Sequence, residues 1–229
     1  MSHITTLAFD ADDTLWQNER FFQITQARFQ ALLADYADPD HLAERLLAAE
    51  RRNLDYYGYG VKGFTLSMVE TALEVTEDSV PGTVLRDIVE AGRALHAHPV
   101  ELLPGAAEVV RALTEDYRIL LITKGDLFDQ ERKLAQSGLG DHFDAVEIVS
   151  EKTPETYARI FGAEAETAMM VGNSLKSDVL PALAAGAWGC HVPHGLTWAL
   201  DHADPPEDAP RFLTIETLKD LPALLARLG

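Results

Sequence analysis

Three carboxylates stand within Asp10–Asp13, directly after the apolar run Ile4–Phe9. A cluster of that kind at the end of a buried strand is costly unless a cation sits beside it or the carboxylates take part in a reaction. Further polar clusters follow apolar runs in the same way: "TKGD" from Thr123, "SEKTP" from Ser150, and "GNSLKSD" from Gly172 to Asp178. Their residue types suit a common task. One carboxylate can act as a nucleophile and split a hydrolysis into two easier steps. A second, two residues on, can move protons, and alternation along an extended chain lets Asp10 and Asp12 point together. A lysine and a hydroxyl can hold an anion that both acids would repel. Each cluster alone has a plainer reading, because an aspartate after a strand is often a helix cap or a turn former. All of them at successive strand ends are improbable as accidents.

The elements that must position these residues follow from hydrophobic spacing. Strand-like runs recur at Ile4–Phe9, Tyr117–Thr123, Asp144–Val149, Thr167–Val171 and Trp188–Val192. Helical spacing fills Gly105–Leu113, Asp129–Ser137, Pro154–Phe161 and Ser177–Ala185. Short continuous apolar strands alternating with helices predict an α/β fold, a doubly wound parallel sheet covered on both faces. Ligands in such sheets bind beyond the carboxyl ends of the strands, where the polar clusters fall. One interval breaks the alternation. From Asn18 to His98 only helical patterning is found, as in "FFQITQARFQALLADY" and "HLAERLLAAERRNLDYY". Roughly 80 residues far exceed the dozen or so of an ordinary crossover. The expected organisation is a Rossmann-like catalytic core from residues 1–17 and 99–229, with an inserted all-α cap domain over residues 18–98. "DHADPPEDAP" from Asp201 is expected to be a surface loop.

Composition narrows the partners. The 229 residues are 47% hydrophobic, and their formal net charge of −18 leaves no basic stripe for nucleic acid. The same field repels an anionic substrate at long range, so a phosphate site needs a local cation and a few placed lysines. Cys190 is the single cysteine, which excludes an intramolecular disulfide and fits a reducing compartment. Within its apolar run it is expected to be a small buried hydrophobe. No basic leader opens the sequence, and no apolar stretch reaches the roughly 20 residues of a membrane helix. A cytoplasmic protein without a membrane partner is expected. The histidines form no HExxH pattern that would suggest zinc.

"FDADDTL", "LLITKGD", "SEKTP" and "VGNSLKSDVLPALAAG" resemble, in order and rough spacing, the motifs of the haloacid dehalogenase-like hydrolase superfamily. The helical insert after the first motif is similar to that superfamily's cap. The resemblance implies that Asp10 attacks phosphorus and that Asp12 serves as general acid and base. An aspartate at position 12 resembles the phosphate-transferring branch, because relatives that dehalogenate carbon lack it. The resemblance makes Lys152 the partner of nucleophile and phosphate, and Thr123 a hydroxyl donor to a phosphate oxygen. Backbone N–H groups around Lys124 and Gly125 would add donors. It implies Mg²⁺ as cofactor, held by Asp10, the Asp12 backbone carbonyl, and Asn173 and Asp178 of the fourth motif.

The sequence departs from the family pattern in places. Asn173 replaces the usual acidic residue and should weaken the metal. Lys124 replaces a common asparagine and either contacts phosphate or offsets the aspartates. Asp13 stands where glycine is frequent and is expected, with Thr14, to be structural. In "YYGYGVKGF", Tyr59 and Lys62 are candidate substrate contacts. His191 and His194 are expected at the rim or in structural roles. The function so implied is a Mg²⁺-dependent phosphatase acting on a small phosphomonoester. The alternatives are a phosphomutase of the same fold and a non-catalytic phosphometabolite-binding protein.

Overall fold

In the computed structural model, which describes residues 4–229, the first apolar run forms β1 (Thr6–Phe9), buried at every position. It is followed in the chain by α1 (Glu19–Leu32), α2 (Pro39–Tyr57), α3 (Val61–Val75), α4 (Gly82–His96) and α5 (Ala106–Leu113). Strands and helices then alternate: β2 (Arg118–Lys124), α6 (Leu127–Ser137), β3 (Ala145–Val149), α7 (Pro154–Phe161) and β4 (Ala168–Gly172). The chain ends with α8 (Leu180–Ala184), β5 (Trp188–His191), β6 (Phe212–Thr214) and α9 (Leu221–Leu228). Among the described residues the strands form one parallel sheet in the order β3-β2-β1-β4-β5-β6.

Strand alternation sends neighbouring residues to opposite faces, and both faces are covered. Leu7, Phe9, Ile119, Leu121, Met169 and Val171 pack in one core with α5 and α9. Ala8, Leu120, Ile122 and Met170 pack in another with Tyr157, Phe161 and Ala182. This is why the strands read as continuous apolar runs. The strand order reverses between β1 and β4, and a crevice opens at such a switch point. The segments that leave these strands carry Asp10 and Asn173.

The expected strands lie within two residues of those observed. β6 was not expected, because three residues between loops carry no periodicity to read. The helix expected from Ser177 begins earlier, as a single π-helical turn at Leu175–Val179 that runs into α8.

The chain divides into two compact units. The sheet unit takes the chain up to Asn18, Val100–Lys124 and Gln130–Gly229, and the helical unit takes Glu19–Pro99 and Gly125–Asp129. In the helical unit, α1 to α4 enclose Phe29, Leu33, Leu42, Leu46, Phe64, Met68 and Ile88. Local signals set the bounds of α2: the Asp38 carboxylate accepts from His41 N at 2.9 Å, Pro39 opens the first turn, and Gly58 closes the helix at φ +67°. Gly125–Asp129 groups with these helices through Asp126, which accepts from Lys62 Nζ at 2.8 Å and caps the Asp129 N–H at 3.1 Å. Within the sheet unit, the passages to and from the insert lie side by side. Gln17 N donates to Glu101 O and Leu103 N to Leu15 O, each at 2.9 Å, with Trp16 opposite Leu102 in antiparallel pairing.

Candidate active site

Asp10 is the first residue past β1, and its N–H still reaches Val171 O on β4 at 2.9 Å. Its side chain turns into a buried cluster. Lys152 Nζ lies 2.5 Å from Asp10 Oδ1 and 2.6 Å from Asp178 Oδ1. Lys152 is delivered there by the end of β3, just before α7, whose start is fixed by Thr153 as cap and by Pro154. The second oxygen of Asp178 accepts from Ser174 N at 3.0 Å, and the residue is wholly buried. Two carboxylates therefore share one ammonium out of water. Burial pushes the Asp10 carboxyl up, Lys152 pulls it down and Asp178 pushes it up again, leaving it raised to about 7. Burial opposes charge on Lys152 too, but the two carboxylates outweigh it and hold its pKa well above the usual lysine value.

The cluster carries one negative charge more than its lysine balances, and its donors are hard oxygens. Thr14 draws the two strand ends together: its hydroxyl lies 3.0 Å from Asp10 Oδ2 and 3.3 Å from Asn173 Oδ1, and accepts from Asn173 N at 3.0 Å. One hydroxyl proton faces two acceptor oxygens, so the remaining demand suits a cation. Among the described residues no group of three or more His, Cys, Asp or Glu side chains forms a ready cage. Mg²⁺, which keeps several waters and accepts carbonyl and amide oxygens, fits this donor set. Thr14, expected to be only structural, is thus part of the cluster, joined to Asn173 across 159 positions of sequence.

Asp12 has a separate set of partners. β1 ends at Phe9, so strand alternation does not aim Asp12 alongside Asp10; a tight turn does. Leu15 N donates to Ala11 O at 2.8 Å and Asp13 N to Trp16 O at 2.7 Å. Asp13 sits at φ +61°, a left-handed conformation that Asp tolerates better than most residues, which explains glycine's frequency there. Its carboxylate accepts from Asn18 N at 2.8 Å, a structural role as expected. The Asp12 carboxylate accepts from Trp16 Nε1 at 2.7 Å, from Gln130 Nε2 at 2.8 Å, and from Lys133 Nζ at 2.9 and 3.1 Å. Burial pushes its pKa up, but Lys133, Gln130 and Trp16 together prevail and hold it below the usual carboxylate range.

Thr123 and Lys124 end β2, with Thr123 buried. Lys124 Nζ lies 2.7 Å from Ser177 Oγ, 3.4 Å from Asp201 and 3.9 Å from Glu151, so it offsets carboxylates in this structure. Ser177 Oγ in turn donates to Asp201 at 2.7 Å, and Tyr157 OH donates to Ser177 O at 3.0 Å. The π-helical turn bearing Asp178 is thereby pinned from both sides, a geometry frequent at functional sites. Gly125, at φ +135°, Tyr59 and Lys62 belong to the helical unit. His191 Nε2 meets Asn173 O at 3.0 Å and His194 Nδ1 lies 3.8 Å from Asp13. Cys190 is buried, which pushes its thiol up to about 12.

Gly172 leaves room for this arrangement. A Cβ there would stand 2.2 Å from Asp178 Oδ2, the oxygen that accepts from Ser174 N while the other oxygen is held by Lys152. Gly172→Ala is expected to cost about 1–3 kcal/mol, as overpacking does, and to displace Asp178. Thermal unfolding of the variant against the native chain checks this; an unchanged midpoint would count against the close approach.

A family model described as haloacid dehalogenase-like hydrolase matches residues 4–186. A crystal structure of a haloacid dehalogenase-like family hydrolase from Xanthomonas campestris is 45% identical, covers 99% of this chain and 92% of its own, and superposes with a TM-score of 0.88. A HAD-hydrolase, YfnB of Bacillus subtilis, solved bound to magnesium, is 20% identical with a TM-score of 0.65 over 97% of this chain and 99% of that one, which shows the shared fold. The pyrimidine 5'-nucleotidase YjjG of Escherichia coli (strain K12) is 29% identical over 135 residues, spanning 55% of this chain and 57% of that protein.

Proposed function

This chain belongs to the haloacid dehalogenase-like hydrolases, and from that premise we propose that it is a Mg²⁺-dependent phosphatase of small phosphomonoesters. The observation that carries this reading is Asp12, a carboxylate two residues beyond the Asp10 cluster, with its side chain 22% exposed. Attack on phosphorus needs an acid for the leaving oxygen, and displacement of halide from carbon does not.

Asp10 forms an O–P bond through one carboxylate oxygen as the ester P–O bond breaks, and the departing oxygen takes its proton from Asp12. Asp12 must therefore be protonated in the complex with substrate, although Lys133 and Gln130 favour its charged form in the free site. Water then attacks the phosphorus of the aspartyl-phosphate, Asp12 takes the water's proton, and Asp10 leaves as a carboxylate with inorganic phosphate released. Lys152 and the Thr123 hydroxyl supply positive charge and a hydrogen bond to the phosphoryl oxygens, where charge spreads in the transition state. Asp10, the Asp12 carbonyl, Asn173 and Asp178 would hold Mg²⁺, which when bound supplies counter-charge to nucleophile and phosphoryl group. The Bacillus subtilis neighbour, which shares the fold, was solved bound to magnesium, which supports the choice of ion.

The test is release of inorganic phosphate from p-nitrophenyl phosphate with Mg²⁺, beside release of chloride from 2-chloropropionate without it. Chloride alone would replace this reading with a dehalogenase. Nucleoside monophosphates are the first natural esters to try, given the likeness to the Escherichia coli nucleotidase. Transfer of the phosphoryl group to a sugar in place of water would instead make the chain a phosphomutase.

Asn173 should set the metal requirement. Asn173→Asp adds a full negative charge beside Asp10, and is expected to lower the Mg²⁺ concentration for half-maximal activity about tenfold, or about 1.4 kcal/mol. A Mg²⁺ titration of activity measures it. An equal or higher requirement would separate Asn173 from the ion.

A further inference from the structure

Lys133 and Gln130 lie on adjacent turns of α6, far along the chain from the first motif, yet their polar ends meet on Asp12. Lys133 Nζ spans both carboxylate oxygens at 2.9 and 3.1 Å and reaches Asn18 Oδ1 at 2.8 Å. Gln130 Nε2 donates to the Asp12 carboxylate at 2.8 Å and to Lys124 O at 3.0 Å, tying Asp12 to the end of β2. Lysine is seldom buried without a partner, and Lys133 is only 9% exposed, with Gln130 at 4%. Gln130 Oε1 is the one described buried side-chain oxygen or nitrogen without a hydrogen-bond partner. A buried carbonyl oxygen costs free energy while unmatched, and this one stands on the amide that touches Asp12, where a water or alcohol O–H would satisfy it.

We propose that Lys133 and Gln130 are positioning residues for Asp12, fixing the carboxylate that exchanges protons with the leaving group and the attacking water. The proposal rests on the phosphatase reading above. Proton transfer is efficient only within hydrogen-bond reach of the reacting oxygen, so an acid free to rotate loses much of its value. Residues three apart on a helix share one face, which lets one rigid element hold both carboxylate oxygens.

The experiment compares the native chain with Lys133→Met and the nearly isosteric Gln130→Met on two esters with Mg²⁺. The first is p-nitrophenyl phosphate, whose leaving group needs little protonation; the second is ethyl phosphate, whose leaving group needs it fully. The expected result for both variants is a kcat/KM for p-nitrophenyl phosphate, which reports only the step that expels the leaving group, within about threefold of native, and a kcat/KM for ethyl phosphate lower by about 10–100-fold, a fraction of the roughly 10²–10⁴ that acid–base catalysis supplies. Equal losses in kcat/KM on both esters, or no loss on either, would overturn the positioning role and leave the phosphatase reading standing. If the native chain releases phosphate from neither ester, the phosphatase reading falls and this proposal falls with it. Circular dichroism of each variant confirms that it is folded. If Lys133→Met fails to fold, Gln130→Met carries the same comparison.

Discussion

Replacing Asp10 with asparagine is expected to abolish turnover while raising the melting temperature of the metal-free protein. An amide cannot form the acyl-phosphate, so phosphate release should fall below about one part in a hundred of native, a modest demand against a rate enhancement of at least about 10⁶. The stability gain comes from the same carboxylate. Asp10 and Asp178 share the single ammonium of Lys152, and asparagine removes the unbalanced charge while keeping an acceptor for the lysine. The raised pKa of Asp10 sets the pH window. Its carboxyl ionises near 3.8 when unfolded and near 7 in the fold, so the folded state binds the proton more tightly. The stability it contributes is present below pH 3.8, is lost as pH climbs toward 7, and changes no further above that. That shift sets a ceiling of about 4 kcal/mol, and a gain of about 1–3 kcal/mol is expected at pH 8. Thermal unfolding of both proteins at pH 4 and pH 8 without metal tests this. The difference should appear mainly at pH 8, and Mg²⁺ should stabilise the native protein more than the variant. A variant less stable than native at pH 8 would mean that Asp10 is well compensated and that the cluster carries no excess charge.

Lys152→Met should have the opposite effect on stability and the same effect on activity. It leaves two buried carboxylates facing each other with their common cation gone, a kind of change that costs about 3–5 kcal/mol. Urea unfolding should show a much lower midpoint at pH 8 and partial recovery toward pH 5, where Asp10 takes up a proton. Adding Asp178→Asn should restore part of the stability and none of the turnover. If Lys152→Met alone unfolds at the native urea concentration, Lys152 is not the counter-ion that the geometry makes it.

Much of this arrangement is legible in the sequence, and the reasons are local. β2, β3 and α7 carry their own signals: continuous apolar runs for the strands, Thr153 and Pro154 for the helix start. Asp10, Lys152 and Asp178 could be read as a group because each follows a strand, and parallel strands bring their carboxyl ends together. Thr14, Gln130 and Lys133 could not. A hydroxyl next to an aspartate looks like a turn, and a lysine in "QERKLAQS" looks like solvated helix surface. Only the packing of α6 shows that Lys133 is buried against Asp12. Lys124 is readable two ways, and its approach to Asp201, distant in sequence, is visible only in the fold. Asp13 was readable as structural, but its φ of +61° was not, because side-chain identity alone does not report backbone hand.

The paired passages at Leu15–Gln17 and Glu101–Leu103 carry a meaning for how such a chain can evolve. A polypeptide that leaves a sheet and returns through hydrogen-bonded neighbours closes its own detour, whatever the detour contains. Closure entropy grows only slowly with the length enclosed, by about 0.6 kcal/mol for each doubling. The helices between Glu19 and Pro99 can therefore lengthen, shrink or be traded for others while the register of β1 against β2 and β4 stays as it is. Selection acting on that detour is largely uncoupled from selection on the carboxylates beyond β1, so the two units can change at different rates.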